Sequence, residues 1–218
     1  MPPSVRPSGL AGFTLVELLT VIAIIALLAG ILLPSLTAAR AAALRAQTRV
    51  QFSQWTAAME QFRQEYGGYP AVGIDGRLAT AADTLKFIRT LAGRNPDGSA
   101  VAIPADLNGN LKRLAFCAFS EGEMYDPDRP DGVSDHSGNE LLRDGFGNTE
   151  IGVVVDRNGD GLVRLADDGP APAVLAARSG SAFAPTEADL PAGGVRAGVL
   201  FYSAGQGTSQ ADMICSWK

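Results

Sequence analysis

The sequence predicts an α+β chain, with a long N-terminal helix, its first half transmembrane, packed on a small antiparallel-sheet head. Three observations predict it. Residues 13–33 are almost all apolar. Residues 35–66 contain no Gly or Pro and carry large apolar side chains at helical spacing. After Pro70 the chain breaks into short apolar runs separated by Gly, Pro, Asn and Asp.

The first element is the apolar segment. Its 21 residues span about 31 Å as a helix, which matches a hydrocarbon core of about 30 Å. It contains two Thr and one Glu and is otherwise apolar or Gly. A secretory signal ends in a small-residue cleavage site. Here the small pair Ala11-Gly12 precedes the apolar run, which continues instead into Pro-Ser-Leu-Thr-Ala-Ala-Arg. Glu17 is the anomaly, because a carboxylate near the bilayer interior costs about 2.5–3.5 kcal/mol. Cleavage after Gly12 supplies a partner, since Phe13 then carries a free α-amine. That amine cannot easily bend back onto Glu17 of its own rigid helix. It could pair with Glu17 of a neighbouring copy, neutralising both charges and fixing the axial stagger between copies.

Gly12-Phe13-Thr14-Leu15-Val16-Glu17 resembles the class III signal of type IV pilins and type II secretion pseudopilins. The resemblance implies cleavage between Gly12 and Phe13 by a membrane prepilin peptidase and methylation of the Phe13 amine. It makes Glu17 the assembly carboxylate and Pro34 the family's helix kink. It divides the chain into a leader at 1–12, a transmembrane and assembly helix at 13–34, an amphipathic continuation at 35–69 and a pilin-like head at 70–218. The leader carries Arg6, while Arg40, Arg45 and Arg49 lie beyond the apolar run. The cleavage motif therefore sets orientation, with the leader cytoplasmic and the head outside.

The second element continues the helix. Phe52, Trp55, Met59, Phe62 and Tyr66 follow one another at intervals of 3, 4, 3 and 4, a single stripe. The stripe reads as a core face set against a sheet, and the Ala-rich stretch 38–46 suits close helix–helix contact. Gly67-Gly68 ends the helix, and Tyr66-Gly67-Gly68-Tyr69-Pro70 is similar to the pseudopilin helix exit. In the head, residues 84–91 read as a short helix and Asn95-Pro96-Asp97-Gly98 as a turn. Residues 114–119, 151–155, 162–165 and 197–203 read as strands, with 213–217 a last one. Residues 166–194 read as a long surface excursion with a helical turn near 174–178. Asp144-Gly145-Phe146-Gly147-Asn148 resembles the Asp-Pro-Trp-Gly-Asn turn of pseudopilins. The ending Ala211-Asp212-Met213-Ile214-Cys215-Ser216-Trp217 resembles that of the major pseudopilin of type II secretion.

That last resemblance implies structural calcium in the loop from Gly205 to Asp212, where this chain offers Asp212 as the one carboxylate. A second calcium candidate is read from the residues themselves. Asp156, Asn158 and Asp160 stand at positions one, three and five of a loop with Gly161 sixth and Asp167 twelfth. A plain Asn-Gly/Asp-Gly hairpin turn explains the same residues. Cys117 and Cys215 could form one bridge outside the cytoplasm or remain two buried thiols.

The composition excludes other classes. The chain carries a net charge of −5. Five Arg and three Glu fall within residues 1–66, leaving the remainder acidic, which weighs against nucleic-acid binding. No Gly-Lys-Ser/Thr loop, HExxH or Gly-x-Ser-x-Gly motif is present, so no enzymatic activity is expected. The expected function is that of a subunit of a type II secretion pseudopilus, with a type IV surface pilus as the alternative. The expected partners are copies of itself in a filament, other pseudopilins or pilins, the prepilin peptidase, an inner-membrane assembly platform and, before assembly, membrane lipid. The expected location is the inner membrane, single-pass, with a periplasmic head.

Overall fold

The structure is a computed structural model and describes residues 14–73, 76–136 and 138–218, with Pro34 described in its backbone alone. Helix α1 runs Leu15–Tyr66. The absence of Gly and Pro from its second half favours this length, and Pro34 lies inside the helical range. Ser35 adds a bond from its hydroxyl to the Leu32 carbonyl, at 2.8 Å. The helix ends at Gly67, which takes φ +80° and returns its N–H to the Arg63 carbonyl at 2.7 Å.

The chain divides into two compact units, residues 1–42 and 43–218. The described part of the first is helix. The second joins the C-terminal half of α1 to the head.

Within the second unit, β1 (Arg77–Leu78), β4 (Ile151–Val155), β7 (Val199–Ser203) and β8 (Ile214–Cys215) form an antiparallel sheet in the order β1-β4-β7-β8. Helix α2 (Ala81–Ala92) follows β1. It is capped by Thr80, whose hydroxyl accepts from the Asp83 N–H, and stopped by left-handed Gly93. Two strand pairs, β2 (Met124–Tyr125) with β3 (Leu141–Leu142) and β5 (Val174–Leu175) with β6 (Ala182–Phe183), lie outside this sheet. Helical turn α3 covers Leu165–Asp168.

Strand alternation gives the sheet two apolar faces. Val199 and Phe201 of β7 and Ile151 and Val153 of β4 point to one face, and Ile214 of β8 joins them. There they meet Phe52, Trp55, Met59 and Phe62 of α1 and Phe87, Ile88 and Leu91 of α2. The aromatic stripe is therefore core, as its spacing predicts. Trp55 is wholly buried, with ring centroids 5.5 Å from Phe87 and 5.6 Å from Phe201. Leu200, Tyr202, Val154 and Cys215 point to the other face, covered by Val163, Val174 and Ala176. Gly152 opposes Tyr202 in register, and a Cβ on it would stand 2.0 Å from the Tyr202 ring. The strand needs Gly there so that the ring can lie across it.

Several expectations are corrected. Residues 114–119 form no strand, because the N–H groups of Phe116 and Cys117 donate to the Leu91 carbonyl at the end of α2. Residues 162–165 contribute one isolated bridge, Val163 to Val195, before turning into α3. The turn expected near 174–178 begins as strand β5, and residues 166–194, largely exposed, lay Val174 and Ala176 against the sheet's second face.

Candidate functional site

Four places carry the chemistry singled out above. The first is the start of α1. Gly12 and Phe13 lie outside the described residues. Thr14 and Glu17 form a reciprocal cap. The Thr14 N–H and hydroxyl donate to one Glu17 carboxylate oxygen at 2.9 and 2.7 Å, and the Glu17 N–H donates to the Thr14 hydroxyl at 3.2 Å. The carboxylate thus satisfies donors that every helix start leaves open. The Thr-x-x-Glu spacing was the sequence signal for this cap, overlooked beside the stronger question of the charge. Past Glu17, large apolar side chains remain exposed on all sides of the helix, from Leu18 at 57% to Leu33 at 63%. This stretch is long and apolar enough to cross a membrane.

The second place is the turn at Asp144–Asn148. Asp144 is buried and accepts from the N–H groups of Phe146 and Asn148, the Asn148 side-chain amide and the Ser203 hydroxyl, at 2.7–2.8 Å. Burial raises its carboxyl above the usual range, and these donors pull against that rise. Asn148 also donates to the Gly205 carbonyl and accepts from the Ala177 N–H, at 2.7 and 2.8 Å. The Gly145 N–H donates to the Thr48 hydroxyl on α1 at 2.9 Å. A Cβ at Gly145 would come within 2.7 Å of the Leu44 carbonyl oxygen. One turn therefore ties the helix, β7, the C-terminal loop and the second-face cover together.

The third place is the loop from Asp156 to Asp168. Asp156 accepts from the N–H groups of Gly159 and Gly161, Asn158 from that of Asp160, and Asp160 from that of Leu162. Arg164 donates to Asp160 at 2.7 Å and to Asp167 at 3.3 Å. Buried Asp168, which the sequence reading missed, accepts from the N–H groups of Arg157 and Arg164 at 2.8 and 2.9 Å and closes the loop. Calcium needs six to eight oxygens free to face it. Two of the four candidate side chains are instead held by one guanidinium, so the arrangement does not fit that ion.

Asp212 lies towards the other end of β7, in the C-terminal loop. Its carboxylate accepts from the N–H and hydroxyl groups of Thr208 and Ser209 and from Arg45, the last at 3.3 Å. Four of these donors converge on one oxygen, and Arg45 takes the other. These hydrogen bonds, Thr208 foremost, hold the Asp212 carboxyl below the usual range. Asp212 acts as a cap and a clasp onto α1.

The fourth place is the cysteine pair. Both thiols are free. Cys117 packs against the α1 side of the sheet and Cys215 is buried on the opposite face, so the bridge considered from the sequence does not form. Burial pushes the two thiols up to about 11 and about 12, respectively.

The helix exit is also built. Tyr69 donates to the Glu60 carboxylate at 2.6 Å and accepts from Arg63 at 3.1 Å, and the Gly198 N–H donates to the same Glu60 oxygen. A Cβ at Gly198 would collide with the Tyr69 hydroxyl at 1.4 Å. The exit motif thus locks the chain leaving α1 onto the start of β7. No protein-family model, curated protein or solved structure matches this chain.

Proposed function

We propose that the protein is a pilin-like structural subunit of a type II secretion pseudopilus, cut between Gly12 and Phe13 and assembled through its N-terminal helix. One observation carries the reading. A helix with thirteen exposed large apolar side chains between Leu15 and Leu33 runs on as the core helix of a folded head. At about 1–2 kcal/mol each, covering these side chains is worth on the order of 15–25 kcal/mol. Lipid covers them before assembly, and neighbouring copies of the helix cover them afterwards. Glu17 at the head of this surface is the group that pairs with the new Phe13 amine of a neighbour. The head would then face the periplasm, and calcium is not part of the proposal.

The C-terminal Ala-Asp-Met-Ile-Cys-Ser-Trp ending and the Asp144–Asn148 turn favour secretion over a surface pilus. A surface pilus would suit a long surface excursion at residues 166–194, and part of that segment, Val174 and Ala176, packs on the back of the sheet. Comparison of the culture-supernatant proteome of a deletion strain with its parent tests the proposal. Several folded exoproteins retained in the periplasm support it. An unchanged secretome with loss of sheared surface filaments replaces it with the pilus reading.

A further inference from the structure

Both loops that resemble cation sites already contain a cation of their own. We infer that Arg164 and Arg45 occupy the place of a divalent ion, so that the head keeps its fold without metal. This inference is independent of the secretion reading.

Arg164 is anchored at three levels. Its N–H donates to Asp168, its Nε to the Gly193 carbonyl at 3.1 Å, and its terminal nitrogen to Asp160 and Asp167. One side chain thereby joins the fifth and twelfth positions of the loop, the two that a calcium ion would draw together. A guanidinium carries five donors in a fixed fork and is always charged, so it can neutralise both acids whatever the metal supply. Arg63 and Arg196 line the same cleft as Asp160, and Arg63 also feels the charge of Asp156. A divalent ion entering here would meet carboxylates already balanced by guanidinium groups.

In the C-terminal loop the division of labour is different. One oxygen of Asp212 collects Thr208 and Ser209, which closes the 3-10 turn at Gln210–Asp212. The other takes Arg45 from α1. The turn is organised by hydroxyls and amides, and the positive charge comes from the helix. Arg45 is therefore a positioning residue that docks the loop, in the role a bound ion would otherwise fill.

Thermal unfolding of the full-length protein in detergent micelles tests this, with EDTA or with excess calcium. The wild type is expected to unfold at the same temperature in both. Arg164→Gln and Arg45→Gln are each expected to lower that temperature in EDTA by about 2 °C or more. Calcium is expected to restore part of the loss in Arg164→Gln, where Asp160 and Asp167 are released from the guanidinium beside Asp156 and Asn158. It should restore nothing in Arg45→Gln, where a single carboxylate is left. A wild type that loses stability in EDTA or gains it in calcium overturns the inference. So does an Arg164→Gln protein that matches the wild type, or whose loss calcium leaves untouched.

Discussion

Glu17 has two jobs that can be separated. In the single chain its carboxylate closes the cap on Thr14. Under the proposed function its charge also selects the neighbouring subunit. Glu17→Gln keeps an oxygen for the Thr14 N–H and deletes the charge. Glu17→Ala deletes both. Thr14→Ala weakens the cap and leaves the charge. Removing the carboxylate relieves the cost of carrying a charge into lipid. Both Glu17 variants should therefore insert into membranes at least as well as the parent. Alkaline extraction of membranes measures insertion, and crosslinking with recovery of sheared filaments measures assembly. The expected result is full insertion and lost assembly for Glu17→Gln and Glu17→Ala, with assembly retained in Thr14→Ala. Normal assembly of Glu17→Gln refutes the charge argument and reduces Glu17 to a helix cap.

Other consequences follow from the head. Trp55→Ala empties a fully buried indole site and should cost about 3–5 kcal/mol, measured by urea unfolding. Gly152→Ala places a methyl group 2.0 Å from the Tyr202 ring and should cost about 1–3 kcal/mol, seen in the same assay. Asp189, held low by Lys218 and Thr186, and Asp212, held low by Thr208, add stability that is complete above about pH 4 and is lost as pH falls through their folded values. Asp144, raised by burial, has the opposite sign, and its contribution fades as pH rises through its folded value. Unfolding free energy against pH should accordingly flatten on the acid side in Asp189→Asn and above it in Asp144→Asn. Cys215, pushed up to about 12, should resist alkylation until the head unfolds, as mass spectrometry along a urea series would record.

Much of the fold is legible where one local pattern decides the outcome. The stripe from Phe52 to Tyr66, the glycine stop and the strands at 151–155 and 199–203 follow from periodicity and turn chemistry. The segment 114–119 is not legible in this way. Its side chains suit a strand, but Phe116 and Phe119 fill gaps beside Phe62 and Trp55, and its N–H groups find the open carbonyl of a helix end. That partner is distant in sequence, and propensity carries no knowledge of it. The same holds for Arg164 and Arg45. Sequence spacing revealed oxygens at cation-loop positions, whereas the cation that meets them is a side chain placed by the fold.

The helix that is long and apolar enough to cross a membrane is also the helix that builds the head's core. Its aromatic stripe is made well before its partners Phe201 and Ile214, which follow it far along the chain. Until they arrive, Phe52, Trp55 and Met59 lack the sheet that covers them, and closing so long a loop is slow. The head therefore matures only when β7 and β8 have been made and can pack on α1. An anchored chain with its stripe still bare is the species most exposed to aggregation and proteolysis. Under the proposed function, subunits whose last strands have not yet packed would be withheld from assembly by their own incomplete core, with no dedicated checkpoint required.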